Sequence, residues 1–182
     1  MMSKKTLVVV EDEVLVARDI KARLTRMGYE VLATASRGEE AVEKVLRLRP
    51  DLVLMDINII GEMDGVDAAI NIHVQYDVPV IFCTAYSNRE TLERAQVAGP
   101  YGYVLKPFNN RELEINIEIA LYKHAVEKDL ADTRRHLDAT LANVSDGVIS
   151  ADMKGQILTL NPSAEALTGW TQDEARASIL TE

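Results

Sequence analysis

An open α/β fold, a parallel sheet covered by helices on both faces, is what this sequence predicts. Strand-like apolar runs alternate with stretches of helical period five times up to about residue 110, the pattern of parallel strands joined by crossover helices. Four of the runs end at polar residues: Glu11 and Asp12 after Leu7 to Val10, Asp56 after Leu52 to Met55, Thr84 after Val78 to Cys83, and Lys106 after Tyr103 to Leu105. Ligands of an open parallel sheet bind outside the carboxyl ends of its strands. These four places are therefore expected to meet at one edge.

The elements follow in order. Thr6 to Val10 is continuously apolar, as a strand buried on both faces requires. Val16, Ile20, Leu24 and Met27 recur at helical spacing over Val14 to Met27, and Gly28 supplies a stop. Tyr29 to Ala35 reads as the second strand. The second helix is expected over Arg37 to Leu48, with Ala41, Val45 and Leu48 inward and Ser36 as a candidate cap. Leu52 to Asp56 is the third strand, and the third helix follows a loop ending at Asp64-Gly65. Val78 to Cys83 forms the fourth strand, Asn88 to Ala98 the fourth helix, and Gly102 to Leu105 a short fifth strand.

From Phe108 until Gly147 there is no Gly or Pro. A helical pattern longer than about 25 residues suggests a coiled coil, and Ile119, Val126, Leu130, Leu137, Leu141 and Val144 approximate a heptad seam, interrupted by Lys123 and by Thr133 or Arg134. A long helix and a parallel homodimer are the expectation; an ordinary fifth helix fraying near Tyr122 is the alternative. Beyond Gly147 the chain reads as strand (Val148 to Ala151), turn, strand (Ile157 to Leu160) and a short helix from Ser163 to Leu167. Thr171 to Glu174 has capping-box form.

Composition narrows the function. A chain of 182 residues holds one full domain and part of another, at roughly 100–150 residues per domain. No apolar run approaches the ~20 residues of a membrane span. The basic start, Met1 to Lys5, leads into an apolar stretch that Glu11, Asp12 and Glu13 break at once, which a signal peptide does not tolerate. A cytoplasmic location is expected. The single Cys83 ends an apolar run and reads as a buried small hydrophobe. A net charge of −9 argues against nucleic acid as a partner, because phosphate neutralisation needs clustered Lys and Arg.

A carboxylate can accept a phosphoryl group if the incoming charge is neutralised and the group is held in line. Glu11, Asp12 and Asp56 together make a hard oxygen site of the type Mg²⁺ prefers. Lys106 adds a mobile positive charge and Thr84 a hydroxyl donor. Each residue alone carries little weight; their conjunction, each after its own strand, carries the reading.

These residues resemble the receiver domain of two-component response regulators over about residues 4 to 124. The carriers are Val8 to Glu13, Asp51 to Asp56, Met63-Asp64-Gly65, Pro79 to Ala85 and Gly102 to Phe108. The resemblance implies a flavodoxin-like five-stranded sheet of order 2-1-3-4-5. It implies phosphorylation of Asp56 by a histidine kinase or phosphotransfer protein, with Mg²⁺ on Asp12, Asp56 and the backbone carbonyl of Asn58, and on Glu11 through water. It further implies that Thr84 shifts toward the phosphoryl group, that Tyr103 changes rotamer as a switch, that Lys106-Pro107 is cis, and that output leaves through the face of helix four, strand five and helix five. One departure is that Asp56 to Asp64 spans one residue more than the commonest pattern, with Ile60 where Pro is usual.

Leu141 to Ile149 and Asn161 to Trp170 resemble the start of a PAS domain, whose last three strands are missing. The expected organisation is a receiver over 1–124, a signalling helix over 125–143 and a partial PAS domain over 144–182, a piece of a longer sensor-regulator protein. Trp170 is expected to be a packing residue. His124 and His136 read as solvent-facing or seam residues rather than kinase histidines, and His73 carries no chemistry. The chain is thus expected to receive phosphate rather than to be a dedicated enzyme. Two rival readings are a haloacid-dehalogenase-like phosphatase with Asp56 as nucleophile, which needs a second acid where Asn58 stands, and a binding module that never accepts phosphate.

Overall fold

Strands buried on both faces need apolar residues at every position, and the central runs of this chain supply them. The computed structural model describes residues 4–85, 93–96, 98–176 and 178. Five strands, β1 (Thr6–Val10), β2 (Glu30–Ala35), β3 (Leu52–Asp56), β4 (Val80–Thr84) and β5 (Gly102–Leu105), form one parallel sheet of order β2-β1-β3-β4-β5. Every residue of β3 and β4 is buried.

Because side chains alternate across a strand, the two faces build separate cores. Val8, Val10, Val53, Met55 and Phe82 face α2 (Gly38–Leu48) and α3 (Gly65–Gln75), meeting Ala41, Val45 and Ile72. Leu7, Val9, Leu52, Leu54 and Ile81 face the other way, toward Ile20 and Leu24 of α1 (Val14–Arg26) and Leu113, Ile117 and Ala120 of α5 (Asn110–Ala142). Of the fourth helix, α4, residues 93–96 are described as helical, and the rest of the expected span over Asn88 to Ala98 lies largely outside the described residues. Cys83 is buried as expected, and burial pushes its thiol up to about 12, out of the reactive range.

The caps correct one expectation. Ser36 does not cap α2: that position belongs to Arg37, which makes no side-chain cap bond. Ser36 instead donates its N–H (2.8 Å) and hydroxyl (3.3 Å) to Glu40 Oε2. The carboxylate reaches back from the first turn and accepts from the hydroxyl that a cap would have turned to the helix N–H groups. Asp64 does cap α3, accepting the Asp67 N–H at 2.9 Å. At the other end of α2, Arg49 adopts φ 50°, and its guanidinium lies 4.5 Å from the Tyr76 ring centroid, a cation–π contact.

The long helix extends through Ala142, so the fraying alternative is set aside. The chain divides into two compact units, Met1–Val126 and Glu127–Glu182. In the second, β6 (Ile149–Ala151) and β7 (Ile157–Leu160) form an antiparallel hairpin followed by α6 (Pro162–Thr168) and α7 (Gln172–Ala175). The capping box expected at Thr171 and Glu174 is present. The apolar cluster here is small: Leu160, Ala164 and Ala175, with Ile157 against them. Polar bonding does much of the organising. Asn161, 4% exposed, donates to the carbonyls of Leu141 (3.1 Å), Val144 (3.3 Å) and Asp146 (2.9 Å) and accepts from the N–H of Val148 (2.8 Å) and Ala164 (2.9 Å).

Candidate functional site

Parallel register brings the strand ends level. Asp56 of β3 lies opposite Cys83 of β4, and Thr84 opposite Leu105 of β5, so Lys106 emerges beside both. One carboxylate oxygen from each of Glu11, Asp12 and Asp56 lies within 4.8 Å of the others. Glu11 and Asp56 are 3% and 6% exposed, and Asp12 is half-buried.

Lys106 neutralises part of this cluster. Its Nζ donates to Glu11 Oε2 at 2.5 Å and to Asp56 Oδ2 at 2.6 Å. Asp56 Oδ1 accepts the Asn58 N–H at 3.0 Å, so both oxygens of this carboxylate are held. Burial pushes the Glu11 carboxyl above its ordinary range, and the Lys106 bond pulls it only part of the way back. Burial also works against the Lys106 ammonium, but its bonds to Asp56 and Glu11 prevail and hold it above the usual lysine value.

Two hydroxyls near these strand ends are left over. Thr84 Oγ1 and Tyr103 Oη are buried without a hydrogen-bond partner among the described residues. An unpaired buried hydroxyl costs free energy, so Thr84 is a donor in waiting at the sheet edge. The Tyr103 ring lies 5.9 Å from that of Phe82, tilted by 35°, which places it against the core. The Lys106-Pro107 bond is cis. The sheet edge thus brings together Glu11, Asp12, Asp56 and Lys106, with Thr84 and Tyr103 on the adjoining strands β4 and β5.

A hard-cation site fits this donor set, which is all oxygen and carries excess negative charge that one ammonium does not cancel. Mg²⁺ held by Asp12 and Asp56 would supply positive charge against a phosphoryl oxygen.

Three features escaped sequence reasoning. Gly65 stands where a Cβ would come within 1.9 Å of the Asp56 carbonyl oxygen, so its lack of a side chain lets α3 start against the end of β3. The Met63-Asp64-Gly65 motif marked the place without its reason. Arg94 pairs with Asp64 Oδ2 (2.9 Å) and Asp67 Oδ1 (3.1 Å), tying the described part of α4 to the start of α3. Asn161 was read only as preceding the short helix from Ser163, and its cap on α6 and its reach to Leu141 were invisible.

His124 requires a correction. It is neither solvent-facing nor in the helix seam: its ring meets Tyr101 edge-on at 5.5 Å and its Nε2 lies 3.0 Å from Asp77 Oδ1. Helical spacing puts it one turn beyond Ala120 on the sheet-facing side. His73 and His136 are exposed. Trp170 is 49% exposed, so it packs only partly.

Comparison with known proteins agrees with this geometry. Residues 7–118 match the response regulator receiver domain model, and residues 135–182 match the PAS fold. The transcriptional regulatory protein PdtaR of Mycobacterium tuberculosis is 36% identical over 138 residues, covering 74% of this chain and 67% of its own. The signal receiver domain of a modulated diguanylate cyclase from Desulfovibrio desulfuricans superposes with a TM-score of 0.66 at 37% identity, covering 69% of this chain and 99% of that one. The N-terminal domain of a response regulator/sensory box/GGDEF 3-domain protein from Carboxydothermus hydrogenoformans gives 0.63 at 37% identity, covering 68% and 98%.

Proposed function

Because the chain belongs to the response regulator receiver domain family, we propose that it is a phosphorylation-controlled switch whose Asp56 accepts a phosphoryl group from a histidine kinase or phosphotransfer protein. The observation that carries this reading is the Lys106 bridge between Asp56 and Glu11 inside a three-carboxylate cluster. An Asp56 carboxylate oxygen attacks the phosphorus, the P–N bond of the donor phosphohistidine breaks, and its electron pair returns to the imidazole nitrogen. An acyl phosphate remains on Asp56. The donor supplies the energy of transfer, so the receiver needs positioning and charge rather than a base.

Mg²⁺ on Asp12, Asp56 and the Asn58 carbonyl, with Glu11 reached through water, would offset the repulsion between phosphate and carboxylates. Lys106 exchanges a carboxylate oxygen for a phosphoryl oxygen. Thr84 turns its unpaired hydroxyl toward the phosphate, and Tyr103 answers by changing rotamer, which alters the surface of α4, β5 and α5. A cleft of about 350 Å³ beside Lys106, lined by Val16, Ile20, Arg23, Pro107 and Phe108 among others, supports a nearby docking place for the donor. The change passes along α5 to the PAS segment, across a homodimer.

Labelling with acetyl phosphate tests the site. Asp56→Ala and removal of Mg²⁺ by a chelator should each abolish it, and Thr84→Ala and Lys106→Ala should weaken it or shorten the switch's response. Undiminished labelling of Asp56→Ala would sink the assignment. Beryllofluoride with Mg²⁺ should alter tyrosine fluorescence of the wild type, and Tyr103→Phe should lose most of that change.

A further inference from the structure

Lys106 holds a fixed position on a flexible side chain. Its ammonium reaches two carboxylates from a four-carbon stem, so where it points depends on how firmly its backbone is held. On the strand side the hold is firm: the Lys106 N–H donates to the Thr84 carbonyl at 2.8 Å. On the far side it is thin. Pro107 has no N–H to give, and among the described residues no backbone group bonds the N–H or carbonyl of Phe108. Regular anchoring resumes at Asn109, whose side chain accepts the Glu112 N–H at 2.9 Å and whose carbonyl accepts the Leu113 N–H at 3.2 Å.

Arg23 of α1 closes this gap. Its Nη1 donates to Asn110 Oδ1 at 3.0 Å and reaches the Phe108 carbonyl at 3.5 Å, while its Nε donates to Asp19 Oδ2 at 2.6 Å. It differs from the other cations of its helix: Arg23 is half-buried, whereas Arg18, Lys21 and Arg26 are exposed. The guanidinium is a planar fork, so a carboxylate one turn back along the helix fixes which way its other N–H groups face. Phe108 also packs against the buried cluster under α1 and α5, but apolar contact is non-directional. The hydrogen bonds set where the loop sits along α1.

The elements joined in this way follow the two residues that meet at the sheet edge. α1 begins at Val14, just after Glu11 and Asp12, and the loop begins at Lys106. We propose that Arg23 is a positioning residue for phosphoryl transfer: by fastening α1 to the loop between β5 and α5, it fixes how Lys106 Nζ sits between Glu11 and Asp56. Asp19 aims Arg23, and Asn110 receives it. This rests on the phosphoacceptor reading above. Arg23 touches no reacting atom and acts through the lysine, whose ammonium must stay in reach of a phosphoryl oxygen when it gives up a carboxylate.

Rates of acetyl-phosphate labelling of the full chain at saturating Mg²⁺ test the assignment. Arg23→Ala should slow labelling about tenfold, short of the ~100-fold of a full 1 Å misplacement. Asn110→Ala, at an exposed position, carries the same test without deleting a half-buried group and should slow it about threefold, the scale of one weak hydrogen bond; a wild-type rate in both overturns the proposal. A double-variant cycle separates positioning from general loosening. Added to Lys106→Ala, Arg23→Ala should slow labelling no further, because the group it places is gone, and a second tenfold loss there counts against it. Mg²⁺ titration by calorimetry reads the opposite sign. Lys106 and Mg²⁺ draw on the same carboxylates, so Arg23→Ala should bind Mg²⁺ as tightly as the wild type or tighter; weaker binding means that the acid cluster itself was disturbed and rejects the role. Arg23→Lys keeps the charge but cannot fork between Asp19 and Asn110, so full recovery of the rate would also reject it. Labelling that persists in Asp56→Ala removes the phosphoacceptor site, whereas Asp56-dependent labelling untouched by Arg23→Ala removes the positioning alone.

Discussion

The two units of this chain are held together by different means. In the N-terminal unit, two apolar cores of 18 and 12 buried residues sandwich a sheet whose central strands have no exposed side chain. Among the described residues of the C-terminal unit, the buried cluster has three members, and one asparagine makes five hydrogen bonds. Burial of apolar area is non-directional and tolerant, whereas a hydrogen-bonded hub fails when a single partner is lost. The first unit can therefore carry a charged edge at Asp56, and the second depends on its polar geometry.

The difference can be tested from the largest effect downward. Gly65→Ala should destabilise the N-terminal unit by about 3 kcal/mol, the upper end for overpacking, because its Cβ would meet the Asp56 carbonyl at 1.9 Å. Urea unfolding measures this, and Asp56 labelling should fall with it. An unchanged midpoint would mean that the start of α3 yields easily and that the sheet edge is not rigid.

Asn161→Ala should cost about 2 kcal/mol, the scale of leaving buried polar groups unpaired. Amide exchange should rise in β6 and β7 and stay unchanged in β1 and β3. Equal rises in both units would contradict their separate stabilisation. Asp64→Ala should cost about 1.5 kcal/mol, within the range for a lost helix N-cap, because its carboxylate caps α3; thermal unfolding checks it.

The smallest effect is pH-dependent. Burial opposes the charge of Asp51, but bonds from Lys5 and from the Thr6 N–H and hydroxyl hold its carboxyl below the usual 3.8. Its contribution is therefore present above about pH 3.8 and lost as pH falls through the lower folded value. Asp51→Asn should cost about 1 kcal/mol at neutral pH, the lower side of a charged hydrogen bond because solvent screens the part-exposed Lys5 pair, and flatten the acid limb of the stability curve below pH 4. A limb as steep as that of the wild type would remove Asp51 from the account.

Most of the sheet was legible in the sequence, because strands buried on both faces must be apolar at consecutive positions, as Leu7 to Val10, Leu52 to Met55 and Val78 to Cys83 are. The long helix was legible from the absence of Gly and Pro after Phe108. Ser36 and His124 were not. A serine before a helix looks like a cap until Glu40 is seen to bind it, and a histidine on an exposed helix looks solvated until Tyr101 and Asp77, close only in space, are found beside it.

By itself, the sequence determined which residues end the strands and what chemistry they offer, since residue type and order along the chain are enough for that. Only the tertiary structure decided how they meet: that Lys106 bridges Glu11 and Asp56, that the Thr84 hydroxyl has no partner among the described residues, and that Gly65 must lack a side chain. Those facts depend on parallel strand register and on the packing of α3 against β3, distances between residues far apart in the chain, which no local pattern of residues encodes.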